Sequence, residues 1–155
     1  MDVSGQKLAV FRGSASTRID DKGRLKIPTL FRGLVQARSG ADVYVTSVKG
    51  DSVRIYPMQV WAELEERVLK APKEHPALAK FLDRVSYFGQ PGELDPQGRV
   101  VIPPNLRQRA AIVGEVRVLG RINYLEVWNE ERFVDKLARE PWTDDDGLLL
   151  SQHGI

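Results

Sequence analysis

The chain of 155 residues contains no cysteine. That excludes a disulfide framework, a thiolate-held zinc or iron–sulfur centre and a cysteine nucleophile. Histidine is nearly as scarce: His75 and His153 are the only two, and they are isolated from each other and from every motif described below. No P-loop, dinucleotide fingerprint, nucleophile elbow or zinc motif is present, so no catalytic residue, metal or cofactor is expected. Long apolar runs are missing too. None approaches the ~18 residues of a membrane span, and Met1-Asp2-Val3-Ser4-Gly5-Gln6 lacks the basic and apolar regions of a signal peptide. The expected address is cytoplasmic, with no membrane partner.

An excess of one charge is also absent, since 23 basic residues face 21 acidic ones. Net charge is therefore a weak argument for a polyanionic partner, but its distribution says more. Residues 1–40 carry eight bases against three acids, whereas residues 129–146 carry seven acids against three bases. One end of the molecule is built to attract what the other repels. With 42% hydrophobic and 28% charged residues, the chain has the composition of a globular protein able to bury a core, as one domain or two small ones.

What the chain has is a repeat. Asp20, Gly23, Arg24, Ile27, Pro28 and Arg32 recur as Asp95, Gly98, Arg99, Ile102, Pro103 and Arg107, each 75 positions later. Beyond them Val43-Tyr44-Val45 matches Val116-Arg117-Val118, and the stretch from Val53 to Trp61 matches Leu125 to Phe133, 72 positions later. A three-residue deletion in a hairpin loop accounts for the change of offset. Two copies are too few for a solenoid, so the expected arrangement is a pseudo-two-fold pair in which each copy completes the other's core.

Within each copy the pattern reads strand, tight turn, strand, short helix, strand, turn, strand, longer helix. Val10 to Ile19 and Leu25 to Ile27 flank the first turn, and Pro28 suits the first position of a helix, as do Pro103 and Pro104. Val43, Val45, Val53 and Ile55 alternate around Lys49-Gly50-Asp51-Ser52 as a half-buried hairpin does. Val60, Trp61, Leu64 and Val68 recur at helical spacing, echoed by Phe133, Val134 and Leu137. Glu63, Glu65, Glu66, Glu130 and Glu131 are expected on solvated helix faces. Between the copies, Ala71 to Pro76 forms a connector, followed by a helical pattern through Ala77, Leu78, Phe81, Leu82 and Val85.

The sharpest element is Asp-x-x-Gly-Arg, present as Asp20-Asp21-Lys22-Gly23-Arg24 and as Asp95-Pro96-Gln97-Gly98-Arg99. Asp in the first position and Gly in the fourth are what a type I turn with a bulge requires, because Asp bonds its own backbone and Gly accepts positive φ. Alanine at Gly23 or Gly98 is expected to cost roughly 1–2 kcal/mol. The turn has no use for the arginine, yet both copies keep it while the tip changes from Asp-Lys to Pro-Gln. The functional reading projects both guanidiniums from one surface toward phosphates or guanine edges.

With both motifs in view, the chain resembles the MraZ family of bacterial transcriptional regulators of the division and cell-wall gene cluster. The likeness covers roughly Phe11 to Glu140 and rests on Phe11-Arg12-Gly13 and the paired Asp-x-x-Gly-Arg turns, each followed by its hydrophobic-Pro step. The resemblance implies an α+β fold: a duplicated, AbrB-like swapped-hairpin β-barrel core with flanking helices. It divides the chain into an extension (1–10), a first module (11–70), a connector and helix (71–85), a second module (86–140) and an acidic tail (141–155). It also implies a closed ring homo-oligomer, nucleoid-associated, that binds promoter direct repeats in double-stranded DNA. Arg24 and Arg99 match the family's DNA-contacting arginines, with Lys22 and its uncharged counterpart Gln97 beside them. Asp20, Gly23, Asp95 and Gly98 are assigned to shaping the turns.

Two other classes compete. Asp20 and Asp95 as an acid–base pair would make an enzyme, but no histidine stands near either. A scaffold or antitoxin-like interaction protein that does not touch DNA would tolerate alanine at both Arg24 and Arg99. The run Asp144 to Asp146 is expected to be a solvated tail, with a lid over basic residues, or docking of Leu148 to Leu150 on a neighbouring subunit, as alternatives.

Overall fold

A computed structural model describes residues 9–155; most of the extension assigned to residues 1–10 lies outside them. The first copy contributes β1 (Ser14–Ile19), β2 (Arg24–Lys26), α1 (Thr29–Ser39), β3 (Asp42–Thr46), β4 (Val53–Pro57) and α2 (Met58–Lys70). The connecting helix α3 (Pro76–Tyr87) follows. The second copy repeats the order with β5 (Gln90–Glu93), β6 (Arg99–Val101), α4 (Pro104–Ala110), β7 (Gly114–Gly120), β8 (Leu125–Trp128) and α5 (Glu130–Arg139), and α6 (Asp144–Ser151) closes the chain.

The eight strands form one antiparallel sheet in the order β5-β3-β4-β8-β7-β1-β2-β6. Its end strands β5 and β6 are consecutive in the chain and joined by the second Asp-x-x-Gly-Arg turn, so the sheet curls into a nearly closed barrel. The copies are interleaved rather than side by side. β1 pairs along its length with β7 (Ser14 opposite Leu119, Ile19 opposite Gly114), and its repeat equivalent β5 pairs with β3. β2 pairs with β6 and β4 with β8, each strand with its own counterpart. Every copy therefore lends strands to its twin, as the repeat implied.

The core follows from strand alternation. Leu25, Val43, Val45, Val53 and Ile55 point inward together with their equivalents Val100, Val116, Val118, Leu125 and Val127, all at 2% exposure or less. Short helices cap the barrel with Phe31 and Val35 from α1 and Leu106 and Ala110 from α4. Burying a side chain of this size contributes ~1.5–3 kcal/mol, and the duplication supplies matched sets without any disulfide. A second cluster holds α2 and α3 to the sheet: Tyr44 stacks on Trp61 at 4.4 Å, with Tyr56, Val60 and Val85 buried around them. The Val85 carbonyl accepts hydrogen bonds from the Tyr44 hydroxyl (3.0 Å) and the buried Thr46 hydroxyl (2.9 Å), which pins α3.

Several local expectations shift by a few residues. β1 starts at Ser14 and not at Val10, because Gly13 turns the chain at φ +81° and Phe11 makes a separate bridge to Ile122. Pro28 and Pro103 sit one residue before the helix rather than in it. Their extended ψ (142° and 140°) places each carbonyl to accept the first amides, from Phe31 and Arg32 in one case and Arg107 in the other. Pro104 occupies the first helical position, as expected. Pro91 stands inside β5 without breaking a ladder, since β5 is an end strand bonded on one side to β3. Glu63, Glu65, Glu66 and Glu131 lie on their helices toward solvent, whereas Glu130 is engaged by the Arg117 guanidinium at 3.0 and 3.3 Å.

The acidic end is more ordered in its local structure than a solvated run. Thr143 forms a capping box: its hydroxyl accepts the Asp146 amide (3.1 Å) and the Asp146 carboxylate accepts the Thr143 amide (3.0 Å). Asp144, Asp145 and Asp146 fill the first turn of α6, where the helix dipole favours negative charge.

Candidate nucleic-acid interface

The two Asp-x-x-Gly-Arg turns are built alike to within a tenth or two of an ångström. In the first, the Gly23 amide bonds the Asp20 carbonyl (3.0 Å), and the Asp20 amide bonds the Arg24 carbonyl (3.0 Å). In the second, Gly98 and Asp95 repeat these bonds at 2.8 and 2.9 Å. Gly23 and Gly98 take φ of +80° and +77°, the left-handed values that the turn demands.

Each aspartate does two jobs. Asp20 Oδ1 accepts the amides of Lys22 (3.0 Å) and Arg24 (2.9 Å), while Oδ2 accepts Arg24 Nε at 2.7 Å. Asp95 does the same with Gln97 (2.9 Å), Arg99 (2.8 Å) and Arg99 Nε (2.8 Å). The amide of the following arginine is the main influence that holds each carboxyl below its ordinary range. The guanidinium and the tip amide add to it, and partial desolvation opposes them. These carboxylates close the turn and hold the arginine Nε, and they are not paired with each other as an acid and a base.

Holding arginine by Nε leaves both terminal nitrogens available, and neither Arg24 nor Arg99 donates a terminal hydrogen bond among the described residues. The pairing of β2 with β6 decides where they face. Leu25 opposite Val100 points into the barrel, so Arg24, Lys26, Arg99 and Val101 all point out, with Arg24 opposite Val101 and Lys26 opposite Arg99. Arg24 and Arg99 are diagonal neighbours on one two-stranded ribbon, a separation that long side chains bridge. Lys22 and Gln97 lie exposed at the two turn tips. The ribbon thus carries Arg24 and Arg99 on one face, with Lys22 and Gln97 in the turns at its two ends.

The structure adds a pair whose recurrence is plain in the sequence but whose role is not. Arg107, from α4, lies over the first turn: a Cβ on Gly23 would stand 2.6 Å from its guanidinium carbon. Arg32, from α1, lies over the second, where a Cβ on Gly98 would stand 2.6 Å from its Nε. Arg32 donates to the Pro96 carbonyl at 2.7 Å, and Arg107 Nε to the Ile102 carbonyl at 3.0 Å. The crossing is reciprocal in the backbone too, with the Ile27 amide on the Gly98 carbonyl and the Ile102 amide on the Gly23 carbonyl, both 2.9 Å. Each copy's helix thus lays an arginine over the other's turn, Arg32 bonding across to it and Arg107 held by a carbonyl of its own copy. Their recurrence 75 positions apart was the available signal, but the contact partner lies in the opposite copy and cannot be read from local spacing.

The histidines stand apart from this face. His75 caps α3 by accepting the Ala77 amide at 3.3 Å, and His153 lies exposed beyond α6. No helix among the described residues is long and apolar enough to cross a membrane.

A barrel closed by two interleaved copies of one strand–turn–strand unit, with paired arginine turns on a shared ribbon, defines a duplicated swapped-hairpin protein of the AbrB type. The sequence comparisons agree with that architecture. The family described as "MraZ protein, putative antitoxin-like" matches over residues 10–84 and 90–146, one segment per copy. Proteins called transcriptional regulator MraZ from Acidobacterium capsulatum and Koribacter versatilis are each 42% identical, covering 94% of this chain and all of theirs. That from Herpetosiphon aurantiacus is 38% identical over 93% of this chain and 96% of its own. The chain belongs to the MraZ family.

Proposed function

We propose that this protein is a transcriptional regulator that binds double-stranded DNA through the outward face of the β2–β6 ribbon. The observation that carries the reading is the pair of Asp-clamped arginines, Arg24 and Arg99, aimed outward from one ribbon with their terminal nitrogens uncommitted. A two-stranded ribbon has dimensions that fit the major groove, and a planar guanidinium suits both phosphates and the O6/N7 edge of guanine. Lys22, Lys26, Arg32 and Arg107 add positive charge around the same face, and Gln97 offers a neutral donor and acceptor at the second tip. One ribbon makes few contacts, so useful affinity requires several copies engaging repeated sites together. A closed ring bound to direct repeats in the promoter of the division and cell-wall gene cluster meets that requirement, in a protein resident with the nucleoid in the cytoplasm.

The test is a salt series of binding to the duplex upstream of the protein's own gene, with a scrambled duplex as control, for wild type and the Arg24→Ala/Arg99→Ala variant. If both arginines neutralise phosphates, the slope of log affinity against log salt falls by about 1.8, at ~0.9 per phosphate. If they read bases, preference for the native duplex over the scrambled one is lost while the slope changes little. Undiminished binding by a folded variant of unchanged mass would overturn the assignment, and absence of binding by wild type would leave the scaffold reading in its place.

A further inference from the structure

We propose that Val101 reads a base, contacting the 5-methyl group of a thymine beside the guanine that Arg24 engages. The assignment rests on the DNA reading proposed above and specifies part of its sequence preference.

Register decides which outward side chains stand together. The Ile27 amide bonds the Gly98 carbonyl and the Ile102 amide bonds the Gly23 carbonyl, both at 2.9 Å. By alternation the hydrogen-bonded pairs of the ribbon are Ile27 with Gly98, Leu25 with Val100 and Gly23 with Ile102. Between them lie the non-bonded pairs, Arg24 with Val101 and Lys26 with Arg99. In such pairs the opposed Cα atoms come to ~4.5 Å and the side chains are closest. Leu25 and Val100 are buried in the barrel, so these two close pairs make up the outer face.

The pairs differ in chemistry. Lys26 and Arg99 set two cations opposite each other, which suits an anion such as a phosphate. Arg24 has a valine opposite instead. Val101 is 46% exposed, and 75 positions earlier the first copy has Lys26. A face that met phosphates alone would have use for a cation at both positions. Valine methyls gain nothing from charged oxygens, but they can cover the apolar group that bases present in the major groove, the thymine methyl. The spacing agrees. Successive nucleotides of one strand rise ~3.4 Å, so two side chains rooted ~4.5 Å apart reach neighbouring bases. With Arg24 on O6 and N7 of a guanine, Val101 falls on the base beside it. Asp20 holds Arg24 Nε at 2.7 Å, which fixes the arginine's end of the pair.

The test uses the full-length chain and the duplex upstream of its own gene, with thymines replaced by deoxyuridine one position at a time, the same position in every repeat. Deoxyuridine pairs as thymine does and lacks only the methyl. For wild type, one thymine next to a guanine is expected to be sensitive, affinity falling roughly fourfold per engaged ribbon, the worth of one buried methyl. Val101→Ser removes both methyls at an exposed position. It is expected to bind the native duplex more weakly and to treat thymine and deoxyuridine alike at that position. Its salt slope is expected to match wild type, since no phosphate contact is lost. Val101→Thr keeps a methyl and is expected to keep a preference for thymine, with mass and circular dichroism unchanged in both variants. Selective binding by wild type that is indifferent to every deoxyuridine, or a Val101→Ser variant that still prefers thymine, would overturn the contact and leave the DNA reading standing. A lower mass for Val101→Ser would also overturn it, by placing Val101 between copies of the chain. A wild type that does not select its own duplex over a scrambled one would remove the DNA reading and the contact together.

Discussion

Alanine at Gly23 tests whether the turn and its cross-copy latch are real. The backbone cost of moving a non-glycine residue to φ near +80° is ~1–2 kcal/mol. Gly13 provides the measure of that cost alone, since it has φ +81° and a Cβ added there would meet nothing within 4 Å. At Gly23 the same methyl would lie 2.6, 2.7 and 3.0 Å from three atoms of the Arg107 guanidinium, closer than carbon atoms tolerate. The arginine must then give up its place and its bond to the Ile102 carbonyl, a further loss of ~1 kcal/mol. Gly23→Ala is therefore expected to destabilise by ~2–3 kcal/mol, about 1 kcal/mol beyond Gly13→Ala, a difference of ~2–4 °C in Tm for a chain of this size. Urea titration gives the free energies, and a double-mutant cycle isolates the latch. In an Arg107→Ala background, Gly23→Ala is expected to cost no more than Gly13→Ala. Equal costs for Gly23→Ala and Gly13→Ala in the native background would refute the latch, and no cost for either would refute the turn geometry.

Gly98→Ala is expected to behave as Gly23→Ala does, with relief by Arg32→Ala, read by the same titration. The Asp20 and Asp95 carboxyls have folded pKa values below their unfolded ones, so their stabilisation is present in full above the ordinary carboxylate range and is lost as pH falls through the lowered values. The stability gap between wild type and Asp20→Asn/Asp95→Asn is accordingly expected to be constant at neutral pH and to close in acid; a gap that widens in acid would contradict the assignment. Thr46→Val removes one of two donors to the Val85 carbonyl and is expected to cost ~1 kcal/mol, whereas Thr46→Val with Tyr44→Phe strands that carbonyl and is expected to cost more than the two separate changes combined. Gly89→Ala is expected to be the most damaging glycine change near α3, because its methyl would stand 2.1 Å from the Val85 carbonyl oxygen, which the helix cannot move; thermal unfolding checks it.

The legible parts of this protein were those written in short-range chemistry and then written twice. Asp20 and Gly23 specify a turn by their offsets, and their recurrence at Asp95 and Gly98 separated the arginine, which the turn does not need, from the residues it does. Alternation at Val43, Val45, Val53 and Ile55 placed the inner face of the barrel correctly. Less legible were features whose cause lies elsewhere in the chain. Pro28 fits the first position of a helix and the cap equally well by its φ, and the ψ of 142° that decides between them is not fixed by the proline ring. Arg32 bonds across to Pro96, and Arg107, although it bonds Ile102 nearby, packs over Gly23 of the other copy. Thr143 and Asp146 have the spacing of a capping box, but three consecutive aspartates read first as a solvated run, and nothing nearby in the sequence reveals what would cover Leu148 and Leu149.

Fusing two copies in one chain has a consequence that two separate copies cannot have. A symmetric pair of identical hairpins presents the same surface when turned by half a revolution, and so reads a palindrome. Here the barrel keeps the two-fold where packing requires it: Leu25 faces Val100, and each latch arginine crosses to the opposite turn. The outer face breaks it. Lys26 has Val101 as its counterpart, and Lys22 has Gln97. Under the proposed reading the ribbon therefore carries a polarity, with three cations, Lys22, Arg24 and Lys26, from the first strand and its turn against Arg99 alone from the second. A footprint with a direction suits sites repeated in one orientation, as the proposed binding to direct repeats requires. Freedom to diverge outside while remaining matched inside is what duplication within a single chain allows.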